Sequence, residues 1–311
     1  MVRYIERCLY SLLSQTLEDI EVICVDDCST DGTGELLQKI SKIDKRLTVI
    51  SYTENKTANQ ARKDAVLASK GEYILFCDAD DTYEINACEM LYKEMKSQPV
   101  DILQFGTNVI NCRGSEEDKN YLEKYLLPHF GSLEGEDVFL GCFRYRLYSF
   151  TLWNKMYSAT LCKKAFSRIK DGKFPRGQDK YAFTVLAYYA SSYSGVSGLR
   201  LYNYHLALGI DGRLSITLGD FKKFCSFSLV SDAIKEFFEE EGILNKYFDI
   251  WISSRNQLIG DCVNKWDNKV RPEDKGKCFD ILLNSWPKYL IIESIARRNW
   301  DKQEQVVENL K

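Results

Sequence analysis

The sequence predicts an α/β fold in which a mostly parallel sheet is flanked by helices, followed by a helical C-terminal region. Three observations lead there. Over roughly the first 110 residues, short apolar runs alternate with stretches whose apolar residues recur every three or four positions. Such a β–α–β rhythm implies parallel strands joined by helical crossovers. Acidic residues cluster directly after two of the apolar runs, at the strand ends where open α/β sheets bind their ligands. From about residue 220 onward the spacing is helical.

Taken in order, residues 2–15 place Val2, Ile5, Cys8, Leu9, Leu12 and Leu13 on one helical face. Glu21-Val22-Ile23-Cys24-Val25 is a strand-like run ending in Asp26-Asp27. Ser29, Thr30 and Asp31 offer N-cap chemistry to a helix carrying Leu36, Leu37, Ile40 and Ile43. Residues 47–50 read as a strand, and residues 57–69 as a helix stopped before Gly71. Residues 72–77 are near-continuously apolar, as in a strand covered on both faces. A helix near residues 84–97 and a strand at residues 101–105 follow. Residues 111–133, polar and holding Gly114, Pro128 and Gly131, are expected to form a long loop. Beyond them come a strand at residues 153–157, helices at 159–168 and 178–191, a β-rich patch near 196–206 and a loop at 207–219. A boundary near residue 218 gives two expected domains, residues 1–218 and residues 219–311.

Composition narrows the function. With 45% hydrophobic and 13% aromatic residues, the 311-residue chain can build a core. A formal net charge of −3, with both signs interleaved, offers no general attraction to nucleic acid. The 11 cysteines are scattered singly, without a Cys-x-x-Cys pair and with only 2 histidines, which argues against a structural zinc site and fits a reducing, cytoplasmic setting. Arg3, Glu6 and Arg7 interrupt the first apolar stretch, so no secretory leader is expected. No run reaches the roughly 18 apolar residues of a membrane span, which leaves peripheral contact with the inner face of the membrane as the compatible mode.

The strongest chemical signal is Asp78-Ala79-Asp80-Asp81, directly after the third apolar run. Carboxylates packed this closely repel one another unless a positive group sits among them. A divalent cation bound to phosphates answers that need, because hard oxygen ligands suit Mg2+ or Mn2+. The competing explanation is an acidic turn in which Asp81 or Thr82 caps the next helix. The second cluster is Asp26-Asp27, whose carboxylates suit a nucleobase imide or ribose hydroxyls.

Together these motifs resemble the inverting family 2 glycosyltransferases of bacterial cell-surface glycan type, which have the GT-A fold, a Rossmann-like α/β sheet. The resemblance rests on residues 21–33, residues 55–81, Trp153-Asn154-Lys155-Met156-Tyr157, residues 174–183 and Ser215-Ile216-Thr217, in that order. It implies that Asp27 contacts the uracil or ribose, that Arg62 lies near the nucleotide, that Asp78 is the ribose-side carboxylate of the Asp-x-Asp motif, and that Asp80 coordinates Mn2+ or Mg2+. Asp179 matches the general base, although the family's Glu-Asp pair is here Gln178-Asp179. His205, or Arg213, matches a basic residue near the donor phosphates, while a buried structural histidine remains the plainer reading of His205. The implied reaction moves a sugar from a nucleotide donor, a UDP-sugar first, to a glycan or lipid-linked acceptor hydroxyl.

The sequence departs from the pattern in two places. Residues 1–7 match the helix that follows the family's first strand, so that strand is expected to be missing. The Gly-Gly often found before the arginine helix is replaced by Lys56-Thr57. A nucleotidyltransferase would bring a Gly-rich, basic N-terminal loop, which is not found. A catalytically impaired glycan-binding or scaffold protein of the same fold remains the alternative expectation.

Overall fold

The computed structural model of the chain describes residues 1–206, 208 and 215–309, with Ser197 and residues 301–309 described by backbone alone. Two compact units are present: Met1–Lys173 with Ala182–Gly212, and Phe174–Tyr181 with Arg213–Lys311.

The first unit opens with helix α1 (Val2–Leu13), strand β1 (Val22–Asp26), α2 (Thr33–Ile43), β2 (Leu47–Ser51) and α3 (Thr57–Ala68). β1 and β2 pair in parallel, joined by the α2 crossover. Ile5 and Leu9 of α1 and Leu37 of α2 pack on Val22 and Leu47 in a small core of their own. α2 starts at Gly32, with φ of +87°, rather than at Ser29, Thr30 or Asp31. Asp31 still serves that end, accepting from the backbone N–H of Thr33 at 3.2 Å.

The second sheet comprises β3 (Tyr73–Leu75), β4 (Thr82–Tyr83), β5 (Ile102–Asn111), β6 (Gly131–Glu134), β7 (Lys155–Ser158) and β8 (Ser192–Leu206). Its order is β3-β7-β5-β8-β4, with β6 on the first half of β8. Only β5–β8 is parallel here; β3–β7, β5–β7, β4–β8 and β6–β8 are antiparallel. The α/β sheet is therefore mixed rather than mostly parallel. The apolar runs report burial, continuous over the first half of β5 but only partial in β3, where Ile74 alone is fully buried, and burial carries no information on strand direction. Among the described residues no backbone pairing joins β1–β2 to the larger sheet.

Successive residues of β5 face opposite layers. Leu103 and Phe105 pack with Ala87, Leu91 and Met95 of α4 (Ala87–Ser97). On the other face, Gln104 accepts from the Tyr193 hydroxyl at 2.9 Å. The stretch at residues 111–133 is not a loop: it holds α5 (Glu116–Tyr125) and β6. Ser115 and Asp118 form a complete capping box at the start of α5. Its helix formers outweighed the flanking Gly and Pro signals. α6 (Glu136–Phe143), α7 (Ala159–Arg168) and α8 (Gln178–Tyr189) come next in the chain.

The second unit is helical: α9 (Leu218–Cys225), α10 (Phe227–Glu240), α11 (Phe248–Lys269), α12 (Lys275–Ser285) and α13 (Lys288–Asn309). Phe221, Phe224, Ile234, Phe237, Leu258 and Cys262 are among its buried residues. No helix among the described residues is long and apolar enough to cross a membrane.

Lys155, at the start of β7, is fully buried. Its ammonium donates to the Thr151 carbonyl at 2.6 Å and to Asn154 Oδ1 at 2.9 Å, and lies 5.0 Å from the centroid of the Phe183 ring. Desolvation pushes its pKa from 10.5 down to about 7. Between these values the unfolded chain holds a proton that the folded chain does not, so stability rises with pH across that window. The expected slope is about 1.4 kcal/mol per pH unit from this one group. Thermal melts between pH 7.5 and 9 on the wild type and Lys155→Met test it: the variant loses the rise. An identical slope in both proteins would assign the pH dependence elsewhere.

Candidate donor-binding site

β3 ends at Leu75, and the chain turns through residues 78–81, where the Asp81 N–H donates to the Asp78 carbonyl at 3.0 Å. Asp78, Asp80 and Asp81 thus occupy a single turn. Arg62, on α3, reaches Asp78 with Nη2 3.2 Å from Oδ1. Arg7, on α1, donates to the Asp80 carbonyl at 2.7 Å. Burial, and then the neighbouring Asp81 carboxylate, raise the Asp80 pKa above its ordinary value, while His205 and Arg7 oppose that shift. A carboxyl group disfavoured in its charged form beside a second carboxylate is a place where an added cation is stabilised.

Asp81 is engaged differently. It is 2% exposed, accepts from the Tyr202 hydroxyl at 2.8 Å and from the His205 N–H at 2.7 Å, and lies 3.6 Å from His205 Nδ1. It caps no helix. α4 starts after Asn86, whose side chain makes no capping bond, and Thr82 lies in β4. The capping explanation of this turn is therefore set aside.

Asp27 sits just past β1 and organises the entry to α3. Its carboxylate accepts from Asn55 Nδ2 at 2.7 Å and from the N–H groups of Lys56 at 2.6 Å and Thr57 at 3.0 Å. Thr57 has φ of +70°, a left-handed conformation rare for a β-branched residue. It stands where the resemblance leads one to expect a glycine, and the Asp27 bonds hold it there. Asp27 and Arg62 are thus linked through one helix, which also carries Arg62 to the acidic turn.

Asp179 lies in the first turn of α8 and belongs to the second unit. Gly177 before it has φ of +77°, and a Cβ there would come within 2.9 Å of the Phe227 ring. Lys180 donates to Gln257 at 2.6 Å. His205 is 8% exposed and lies beside Asp81; Arg213 lies outside the described residues. Sequence reasoning missed Arg7 and Tyr202. No local signal marks Arg7, which is one charged residue on an amphipathic helix. Tyr202 sits in an aromatic run that reads as ordinary β-strand.

Among the described residues no group of three His, Cys, Asp or Glu side chains encloses a metal by itself. The donor set still suits Mg2+ or Mn2+ bound to a nucleotide, since such ions take one or two protein carboxylates and complete their shell with phosphate oxygens and water.

The model of the family described as Glycosyl transferase family 2 matches residues 2–175. TuaG of Bacillus subtilis (strain 168), named for teichuronic acid biosynthesis, is 36% identical over 116 residues, covering 37% of this chain and 46% of that protein. The poly(ribitol-phosphate) beta-glucosyltransferase of Bacillus spizizenii is 32% identical over 212 residues, covering 67% of this chain and 31% of that protein. The match therefore spans less than half the length of either relative. The crystal structure of S. aureus TarS 1-349 superposes with a TM-score of 0.55 at 18% identity, covering 96% of this chain and 88% of that one. That likeness supports the GT-A-like α/β fold. The family match covers more than half of the chain and includes Asp27, Arg62, Asp78 and Asp80, and the chain belongs to glycosyl transferase family 2.

Proposed function

We propose that this chain is an inverting, metal-dependent glycosyltransferase that moves a sugar from a UDP-sugar to a hydroxyl of a bacterial cell-surface glycan. The observation that carries the reading is the residue 78–81 turn, where Arg62 meets Asp78 and the Asp80 carboxyl is pushed toward its neutral form. The relatives named for teichuronic acid and for poly(ribitol-phosphate) support a cell-surface acceptor, and TarS has been crystallised with UDP-GlcNAc. In this reading residues 1–218 form the catalytic domain and residues 219–311 a helical C-terminal region. The protein works in the cytoplasm, at the inner face of the membrane.

Asp27 would accept hydrogen bonds from the nucleobase or ribose, Asp78 would face the ribose, and Arg62 would lie near the nucleotide. Asp80 would hold Mn2+ or Mg2+ together with the donor's diphosphate oxygens. When bound, the cation neutralises the charge developing on the leaving diphosphate. Asp179 takes the proton of the acceptor hydroxyl as that oxygen attacks the anomeric carbon from the opposite side, so the configuration inverts. Asp179 stands in the first turn of α8. A second reading, a glycan-binding protein of the same fold without turnover, draws on the separation of β1–β2 from the larger sheet.

Thermal stability against UDP, with Mn2+ and with EDTA, tests the donor site. UDP at 100 times its dissociation constant is expected to add about 2.7 kcal/mol, and only when Mn2+ is present. No shift with UDP and Mn2+ sinks the UDP-sugar reading. A shift without any transfer or hydrolysis of UDP-sugars favours the binding protein.

A further inference from the structure

Both ends of the acidic turn are tied to β8 through one phenol. The Tyr202 hydroxyl accepts from the Asp78 backbone N–H at 3.2 Å and donates to Asp81 Oδ2 at 2.8 Å. The other Asp81 oxygen accepts from the His205 N–H at 2.7 Å. Tyr202 is fully buried and its ring cannot swing away. Trp153 stacks on it at 4.5 Å between centroids, and Tyr83 meets it edge-on at 5.0 Å. A buried carboxylate is tolerated only where its oxygens are hydrogen-bonded, which makes the Asp81 contacts stringent.

We infer that Tyr202 and Asp81 are a positioning pair. The Tyr202 phenol and the Asp81 carboxylate clamp the residue 78–81 turn to β8 and so set the directions of Asp78 and Asp80. Asp81 belongs to this clamp and does not ligate the cation. The role for the cation rests on the donor-site reading above; the clamp on the backbone does not.

Tyr202→Phe keeps the ring stack and removes the hydroxyl. The matched control is Tyr83→Phe. It removes a phenol from the same stack, but one that donates to the carbonyls of Phe76 and Trp153 and never to the acidic turn. Both variants are expected to melt roughly 2–8 °C lower, since each leaves buried polar groups without a partner. They part in two readouts. Exchange of the residue 78–81 amides quickens about tenfold or more in Tyr202→Phe and stays near wild type in Tyr83→Phe, as local opening of the turn requires. The Mn2+ concentration that half-saturates UDP binding rises about tenfold in Tyr202→Phe alone, in keeping with the 10–100-fold losses seen when the partners of a metal ligand are removed. If Tyr202→Phe does not fold, Asp81→Asn carries the same test, since its amide oxygen can still accept from His205. Equal exchange of the residue 78–81 amides in both Tyr variants overturns the clamp. Should the wild type bind no UDP, the donor-site reading fails while the exchange experiment still decides the clamp. Selective exchange with unchanged Mn2+ dependence overturns the link to the cation.

Discussion

Asp80→Asn is expected to lower sugar transfer by about 10³-fold, equivalent to about 4 kcal/mol of transition-state stabilisation, with the ligand-free protein no less stable than wild type. The two expectations have one physical cause. Asp80 is a partly desolvated carboxyl group beside the Asp81 carboxylate, and its charged form is disfavoured in the absence of a cation. Replacing it with a neutral amide of the same shape relieves that repulsion. It also removes the ligand that would hold the ion on the leaving diphosphate. Release of UDP from a UDP-sugar, followed alongside thermal melts without nucleotide, separates the two effects. A variant that loses activity only because it melts at a lower temperature would put Asp80 in the scaffold rather than at the cation.

Asp179→Asn is expected to cost 10²- to 10⁴-fold in transfer, the range for loss of a general base, while UDP–Mn2+ affinity stays within about twofold of wild type. Asp179 opens α8 after a sharp turn at Gly177, and the second-unit contacts of that turn with Phe227 give it a fixed seat. The substitution preserves size and hydrogen-bonding capacity but cannot take up a proton. Steady-state transfer and nucleotide titration on the same preparation supply the check. Wild-type rates in Asp179→Asn would remove this residue from the base role, and a parallel fall in UDP affinity would move it to the donor site.

Much of the first unit was legible from pattern. The helical face of α1, the apolar run of β1 and the near-continuous apolar stretch ending in Asp78 each report burial, and burial is what periodicity encodes. Strand direction was not legible. β5 read as a member of a parallel sheet and does pair in parallel with β8, yet it runs antiparallel to β7 because the connection between them returns the chain from the other end. α5 was hidden for a different reason. None of its residues is fully buried and only Leu122 and Tyr125 pack partly on the core, so its apolar stripe is short and the segment reads as loop, although the Ser115–Asp118 capping box marks its start.

The same division holds at the site. The sequence by itself determined the family, the identity of Asp27, Arg62, Asp78, Asp80 and Asp179 as candidates, and the placement of carboxylates after strands, because these depend on residues close together in the chain. Only the tertiary structure decided what each carboxylate does locally. Asp27 holds the strained entry to α3 through Lys56 and Thr57, Arg62 meets Asp78, and Asp81 belongs to Tyr202 and His205 rather than to a helix cap. The physical reason is separation along the chain. Asp81 and Tyr202 lie 121 residues apart, and a hydrogen bond of 2.8 Å between them exists only once β4 and β8 are paired.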